Sequence, residues 1–296
     1  REGRKKPGLS PQHVTAISAL AAVAEAEIEG SKPGSAEVTF RPGEIRGGER
    51  KVDIGTAGSI TLLMQCLLPA LVFADSPATL TVRGGTDVKW SPTIDYLSQV
   101  ALPAFAEFGV RARLSCQRRG YYPRGGGVAT LKVDPGALRR ADLLASGPGG
   151  VEGVSHSSNL PQHVAERQSE AAARVLLRAG FDAQIRCEAE NVPSTGSGIT
   201  LWSDRKGASA LGERGLRAEK VGASAAEEMV AELGSKAAVD RYLADQLVPY
   251  LALAGGSYSA PQISRHASTN IWTVTRFLDV EISAEMGEVA TFRADL

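Results

Sequence analysis

The sequence predicts an α/β protein built on a repeated unit, and three observations carry that expectation. The apolar run Leu67-Leu68-Pro69-Ala70-Leu71-Val72-Phe73-Ala74 is echoed by Leu247-Val248-Pro249-Tyr250-Leu251-Ala252-Leu253-Ala254, each reading as a helix interrupted by one proline. Each copy is followed by a short strand, a polar loop, a second helix and a further strand. Between the copies, residues of roughly 155–234 depart from the period, which marks an inserted α/β subdomain. The expected division is a repeat domain of 1–154 and 235–296 around an insertion of 155–234.

Residues 11–29 read as a helix: Val14, Ile17, Ala21 and Ile28 recur at helical spacing, Ser10 precedes Pro11, and Gly30 stops it. Strands near 36–40 and 49–54 follow. Gly55-Thr56-Ala57-Gly58-Ser59 opens a helix over 59–74, with Ser59 as its cap. Strand 78–83, loop 84–92, helix 93–108, strand 110–116 and strand 128–133 complete that unit. The insertion reads as helix 160–179, strands 182–190, 199–203 and 208–213, and helix 223–233. The last unit reads as helix 237–254, strand 257–260, loop 261–269, helix 270–278 and strands 279–285 and 288–293. Segment 1–45 supplies only the second half of such a unit, so a strand and a helix are expected upstream of Arg1.

The 33 lysines and arginines equal the 33 aspartates and glutamates, so no global field holds nucleic acid and any such contact comes from local clusters. Two clusters stand out, Arg1, Arg4, Lys5 and Lys6, and Arg118, Arg119 and Arg124 around Tyr121 and Tyr122. The three cysteines, Cys66, Cys116 and Cys187, have neither disulfide-framework nor zinc spacing, and Cys66 reads as a buried residue of an apolar helix. A reducing cytoplasm is the expected setting. No stretch reaches the ~20 apolar residues that span a bilayer, and no membrane partner is expected.

His266 lies between Arg265 and Ser268-Thr269-Asn270, in what the pattern reads as a loop between a strand and a helix. A neutral imidazole nitrogen can attack phosphorus to give a labile phosphoramidate, and a neighbouring arginine can hold a phosphoryl group. The alternative is a hydrogen-bonded surface histidine; the repeat favours the former, because only the second copy carries a histidine at this place. Gln65 in helix 59–74 and Asp245-Gln246 in helix 237–254 hold polar groups at matching offsets, which points to a shared cleft or to two independent backbone caps. Gly120-Tyr121-Tyr122-Pro123-Arg124-Gly125-Gly126-Gly127 offers either a base-binding surface with close backbone approach or a simple glycine-rich hairpin. It lacks P-loop spacing. His13, His156 and His163 show no metal-binding spacing.

Six ordered segments together resemble the RNA 3′-terminal phosphate cyclase family over essentially the whole chain. They are Arg1 to Leu9 with Gln12-His13, Gly55 to Ser59 with Gln65, Gly120 to Gly127, His163-Val164-Ala165-Glu166-Arg167, Tyr242-Leu243-Ala244-Asp245-Gln246, and Arg265 to Asn270. The resemblance implies three tandem repeats of two helices on a four-stranded sheet, plus the smaller insertion. It also implies ATP-dependent conversion of an RNA 3′-terminal phosphate to a 2′,3′-cyclic phosphate through a covalent histidine–AMP intermediate. By position, His266 matches the nucleophile; Gln65, Tyr242, Leu243, Ala244, Asp245 and Gln246 match ATP contacts, and Tyr122 and Pro123 the adenine surroundings. Arg1, Arg4 and Gln12 match the phosphate-binding face. ATP with Mg²⁺ or Mn²⁺ is the implied cofactor set and RNA with a 3′-phosphate end the implied partner. Family members draw metal ligands from a glycine-rich N-terminal segment that this sequence does not contain, so the metal ligands stay unassigned. A non-catalytic branch active in ribosome biogenesis lacks the catalytic histidine, and carboxyvinyl transferases of related architecture need none; His266 argues against both. None of the proposed nucleotide-handling residues falls within 155–234, so the insertion is expected to be remote from the chemistry.

Overall fold

The computed structural model describes residues 7–147 and 149–296 as helices, four-stranded sheets and one two-stranded ribbon. The chain divides into two compact units, Arg1–Ile94 with Val110–Ala137, and Asp95–Gly109 with Leu138–Leu296.

In the first unit, α1 (Pro11–Val23) begins at Ser10, whose backbone N–H donates to His13 Nδ1 at 3.1 Å. His13 is therefore part of a helix cap. The helix stops well short of residue 29: Glu25 takes a φ of 42°, and the chain enters β1 (Glu27–Glu29), antiparallel to β2 (Thr39–Arg41). Ile28 keeps the helical phase but sits on a strand. β3 (Gly48–Asp53), β4 (Ala78–Gly84), β5 (Arg111–Arg118) and β6 (Gly127–Asp134) form a sheet of order β3-β4-β6-β5, in which only β3 and β4 are parallel. Across it lies α2 (Ile60–Leu71), whose Ile60, Leu63, Met64, Leu67, Leu68 and Leu71 are buried at helical spacing. Ser59 caps α2 by accepting from the Leu62 N–H at 3.2 Å. Cys66 lies on the exposed side of α2 rather than in the core.

The second unit starts with the helix expected over 93–108, which is composite. A π-helical turn, Leu97–Ala101, separates α3 (Ile94–Tyr96) from α4 (Leu102–Glu107). Pro103 has no N–H to donate and its ring crowds the preceding turn, and the wider turn accommodates it. After β7 (Ala141–Leu143) come β8 (Val151–Ser158), α5 (His163–Arg178), β9 (Ala183–Glu190), β10 (Gly196–Ser203), β11 (Lys206–Leu211) and α6 (Ala218–Gly234). The segment after α6 supplies α7 (Leu243–Gln246), α8 (Val248–Ala254), β12 (Gly256–Ala260), α9 (Arg265–Val274), β13 (Ile282–Met286) and β14 (Ala290–Ala294).

β7, β12, β14 and β13 form a sheet in that order with β7 and β12 parallel. Read from the parallel pair, this is first, second, fourth, third strand, the same order as β3-β4-β6-β5. The sheet β11-β10-β8-β9 runs differently, which sets the insertion apart. It enters between β7 and α7, the topological position that the short loop 54–59 occupies between β3 and α2. Its first strand is β8, so the expected boundary at 155 falls inside a strand.

The insertion buries Ala172, Leu176, Ile199, Leu201, Val221 and Met229 between its sheet and helices. Where α5 and α6 cross, a Cβ on Gly222 would lie 1.9 Å from the Gln168 carbonyl oxygen. Among the described residues no helix is long and apolar enough to cross a membrane.

Gly222→Ala separates helix propensity from packing. Alanine favours an isolated helix by about 1 kcal/mol, whereas the overlap at the crossing costs about 1–3 kcal/mol. Thermal unfolding is expected to show a lower Tm for the variant; a higher Tm would show that the crossing is not tight.

Candidate active site

His266 does not lie in a loop. It occupies the first turn of α9, which begins at Arg265, five residues before the expected helix start, because Ser264 caps the helix by accepting from the Ala267 N–H at 3.0 Å. The imidazole is exposed. It stands at the end of a helix where backbone N–H groups lack intrahelical partners and the dipole favours an anion.

The helix expected over 237–254 is broken as well. Residues 237–242 are irregular, and α7 starts where the Asp240 carboxylate accepts from the Tyr242 N–H at 2.8 Å and the Leu243 N–H at 2.7 Å. The same carboxylate accepts from the Gly207 N–H at 2.9 Å, and the Tyr96 hydroxyl donates to both of its oxygens at 2.8 Å. Asp240 has no exposed surface. Burial pushes its carboxyl up to about 7, against the opposing pull of the Leu243 and Tyr96 hydrogen bonds. Tyr96 stays protonated, because burial and the adjacent carboxylate both disfavour the phenolate.

Gly207 and its neighbour Lys206 belong to β11 of the insertion. Lys206 is buried and donates to the carbonyls of Glu232 and Ser235 at 3.0 and 2.7 Å, and burial lowers its pKa. The buried Glu232 carboxylate pairs with Arg241. The insertion is thus tied to the segment that leads into α7 and is not remote from it.

Within the segment Tyr242–Gln246, the side chains of Leu243 and Ala244 are buried in the core, which leaves only their backbone to meet a ligand. Tyr242 is partly exposed and donates to Glu228 Oε1 at 2.6 Å, while Gln246 Nε2 donates to the Tyr242 carbonyl at 2.9 Å. Asp245 is half-buried. Burial raises its pKa, and the nearby His266 is the largest influence drawing it back down. Asn270 Nδ2 donates to the Asp245 carbonyl at 2.9 Å and so pins α9 to α7. His266 and Asp245 are therefore electrostatic neighbours held by a helix-to-helix hydrogen bond.

The first unit holds the remaining expected site residues. Gln12 Oε1 accepts from the Ser59 N–H at 3.3 Å, which joins α1 to the loop before α2. The hairpin bearing Tyr122 and Pro123 packs on the same loop: Gly125 has a φ of +64°, and a Cβ there would lie 2.9 Å from Ala57 Cα. Tyr122 is exposed and Tyr121 is buried. Gln65 lies further along α2 and is half-buried. Arg119 is not a solvated charge available to RNA, since it is buried and paired with Asp87 at 3.4 Å. Arg118 Nε donates to the Gly126 carbonyl at 2.8 Å, and Arg124 is exposed. Arg1 and Arg4, with Lys5 and Lys6, lie outside the described residues.

Asp240 and Asn270 are organising residues that the sequence pattern hid. Asp240 sat inside an apparently continuous helix, although an aspartate three residues before a leucine-rich turn is a cap signal. Asn270 read as a helix start, while the true cap, Ser264, read as loop.

The family model for RNA 3′-terminal phosphate cyclase matches residues 1–284. An RNA 3′-terminal phosphate cyclase of Methanosarcina barkeri is 50% identical, over 97% of this chain and 87% of that protein. The protein of the same description from Methanosarcina acetivorans is 48% identical over 97% of this chain and 88% of its own length. That of Pyrococcus furiosus is 44% identical over 99% and 88%.

Asp240→Asn leaves an N–H donor facing an amide instead of a carboxylate oxygen, a cost of about 1–3 kcal/mol. Protonated Asp240 contributes stability below its unfolded pKa of ~4, and that contribution is lost as pH rises through about 7. The stability deficit of the variant is therefore expected to be larger near about pH 5 than near about pH 8, measured by denaturant unfolding. A deficit that grows with pH would contradict the buried, charge-averse carboxyl.

Proposed function

As the chain belongs to the RNA 3′-terminal phosphate cyclase family, we propose that it converts RNA 3′-phosphate ends to 2′,3′-cyclic phosphates in an ATP-dependent reaction that passes through AMP bound to His266. The observation that carries this reading is the exposed imidazole in the first turn of α9 with the partly desolvated Asp245 beside it.

A neutral imidazole nitrogen of His266 attacks the ATP α-phosphorus; the N–P bond forms, the bond to the β-phosphate oxygen breaks, and pyrophosphate leaves. Positive charge develops on the imidazole as the bond forms. The Asp245 carboxylate offsets that charge, and its partial burial strengthens the interaction. The N-terminal turn of α9 favours the phosphoryl oxygens. An oxygen of the RNA 3′-phosphate then attacks the AMP phosphorus and His266 departs as imidazole. The neighbouring 2′-OH attacks the activated 3′-phosphorus, releases AMP and closes the ring. The requirement for a 2′-OH restricts the substrate to RNA ends. Gln65, Tyr122, Pro123 and the segment Tyr242–Gln246 are the proposed nucleotide contacts, and Gln12, with Arg1 and Arg4, the proposed phosphate contacts. Mg²⁺ or Mn²⁺ would supply charge neutralisation on the triphosphate, and no ligand is assigned to it.

Incubation with α-labelled ATP is expected to leave acid-labile label on the wild-type protein and none on His266→Ala, whose exposed position predicts a native circular-dichroism spectrum and Tm. Substantial label on the folded variant would place the nucleophile elsewhere.

A further inference from the structure

Beyond His266, α9 presents a face whose composition is unusual for a solvated helix. Its inner side, with Ala267 buried and Ile271 and Val274 half-buried, packs on α7 and α8. On the outer side Arg265, Thr269, Trp272 and Thr273 are exposed, as are Arg276 and Phe277 in the turn just past the helix end at Val274. Trp272 exposes 60% of its surface and Phe277 83%. The Arg276 guanidinium lies 5.2 Å from the Trp272 ring centroid, so the indole already carries a cation against its π-system. From Gly256 to Leu278 there is no acidic residue. Six residues of α-helix place Trp272 about 9 Å along the axis from His266 and about 120° around it, with Thr269 on the arc between them.

This combination fits one kind of occupant. An aromatic face stacks any base, arginines on either side neutralise phosphates, and small threonines between them leave the backbone room to approach. A protein partner would call for a contiguous apolar patch, whereas here the two large apolar side chains are interleaved with arginine and threonine. We propose that the outer face of α9 and the turn that follows it, from His266 to Arg276, is the landing surface for the single-stranded 3′ end of the RNA. Trp272 stacks a base just upstream of the terminal nucleotide, and Arg265 and Arg276 neutralise the adjoining phosphates. The inference rests on the reading of His266 as the residue that takes AMP, because that reading places the RNA end at the start of this helix.

The test compares the full chain with Trp272→Ala, Trp272→Phe and Arg276→Gln, using a short single-stranded RNA with a 3′-phosphate. Labelling by α-labelled ATP without RNA reads the first chemical step, and fluorescence anisotropy with a salt titration reads RNA binding. Trp272→Ala is expected to label like wild type and to bind RNA about tenfold more weakly, the loss of one base–aromatic stack. Trp272→Phe is expected to restore most of that affinity, and Arg276→Gln to reduce the salt slope by about one. Unchanged RNA affinity in Trp272→Ala overturns the proposal, as does loss of labelling together with RNA binding, which would make Trp272 a support of the helix. A change of oligomeric state without a change in RNA affinity would also overturn it, by giving the face to a second copy. If wild type takes no label yet RNA affinity still depends on Trp272, the platform stands and the nucleotidylated-histidine reading falls.

Discussion

A carboxylate sealed from solvent, that of Asp240, sets the geometry on which the candidate chemistry of the second unit depends. It accepts from three backbone N–H groups and from the Tyr96 hydroxyl, and these donors come from β11 of the insertion, from α3 and from the start of α7. Removing a charge from water is costly, and only a full set of short hydrogen bonds offsets that cost. The balance is close enough that the carboxyl titrates near about 7 rather than near the usual value. Because Asp240 fixes where α7 begins, it fixes Asp245; because Asn270 holds the Asp245 carbonyl, it also fixes α9 and the exposed His266 at its first turn. The imidazole proposed as the nucleophile is thus positioned by a relay of hydrogen bonds to the backbone that starts at a buried acid.

The two sheets that share a strand order use the same point of their topology in different ways. After β3 the chain makes a short glycine-containing loop, against which Gln12 and the Tyr122 hairpin pack before α2 begins. After β7 the same point admits the entire insertion, which returns through Asp240 to α7. Two sheets of the same strand order therefore carry a tight loop at this point in one case and an accessory subdomain in the other, and the proposed chemistry draws on these grafts.

Much of this was legible in the sequence. The helix under Leu63, Leu67 and Leu71 and the insertion helices announce themselves by periodicity, and Ser59 by capping chemistry. What escaped detection did so for physical reasons. β8 reads Val-Glu-Gly-Val-Ser-His-Ser-Ser, a polar run that is almost wholly buried, with Ser155 donating to the Ala165 carbonyl at 2.7 Å and Ser158 to the Ser194 carbonyl at 2.8 Å. Helical phase carried α1 through to Ile28, since nothing in the periodicity marks the left-handed turn at Glu25. The repeat singles out His266 as a candidate, while polar Ser268, Thr269 and Asn270 mask the helix that Ser264 starts. Arg119 looked like part of a basic surface, and only tertiary structure reveals that Asp87 holds it inside.

The central claim is that the protein forms a phosphoramidate on one imidazole. Tandem mass spectrometry of the full chain after exposure to ATP and Mg²⁺, digested under mildly alkaline conditions that preserve phosphorus–nitrogen bonds, reads this directly. The expected result is adenylate on the peptide spanning Ser264 to Asn270, localised to His266. Adenylate localised to His13, His156, His163 or a lysine would contradict the claim.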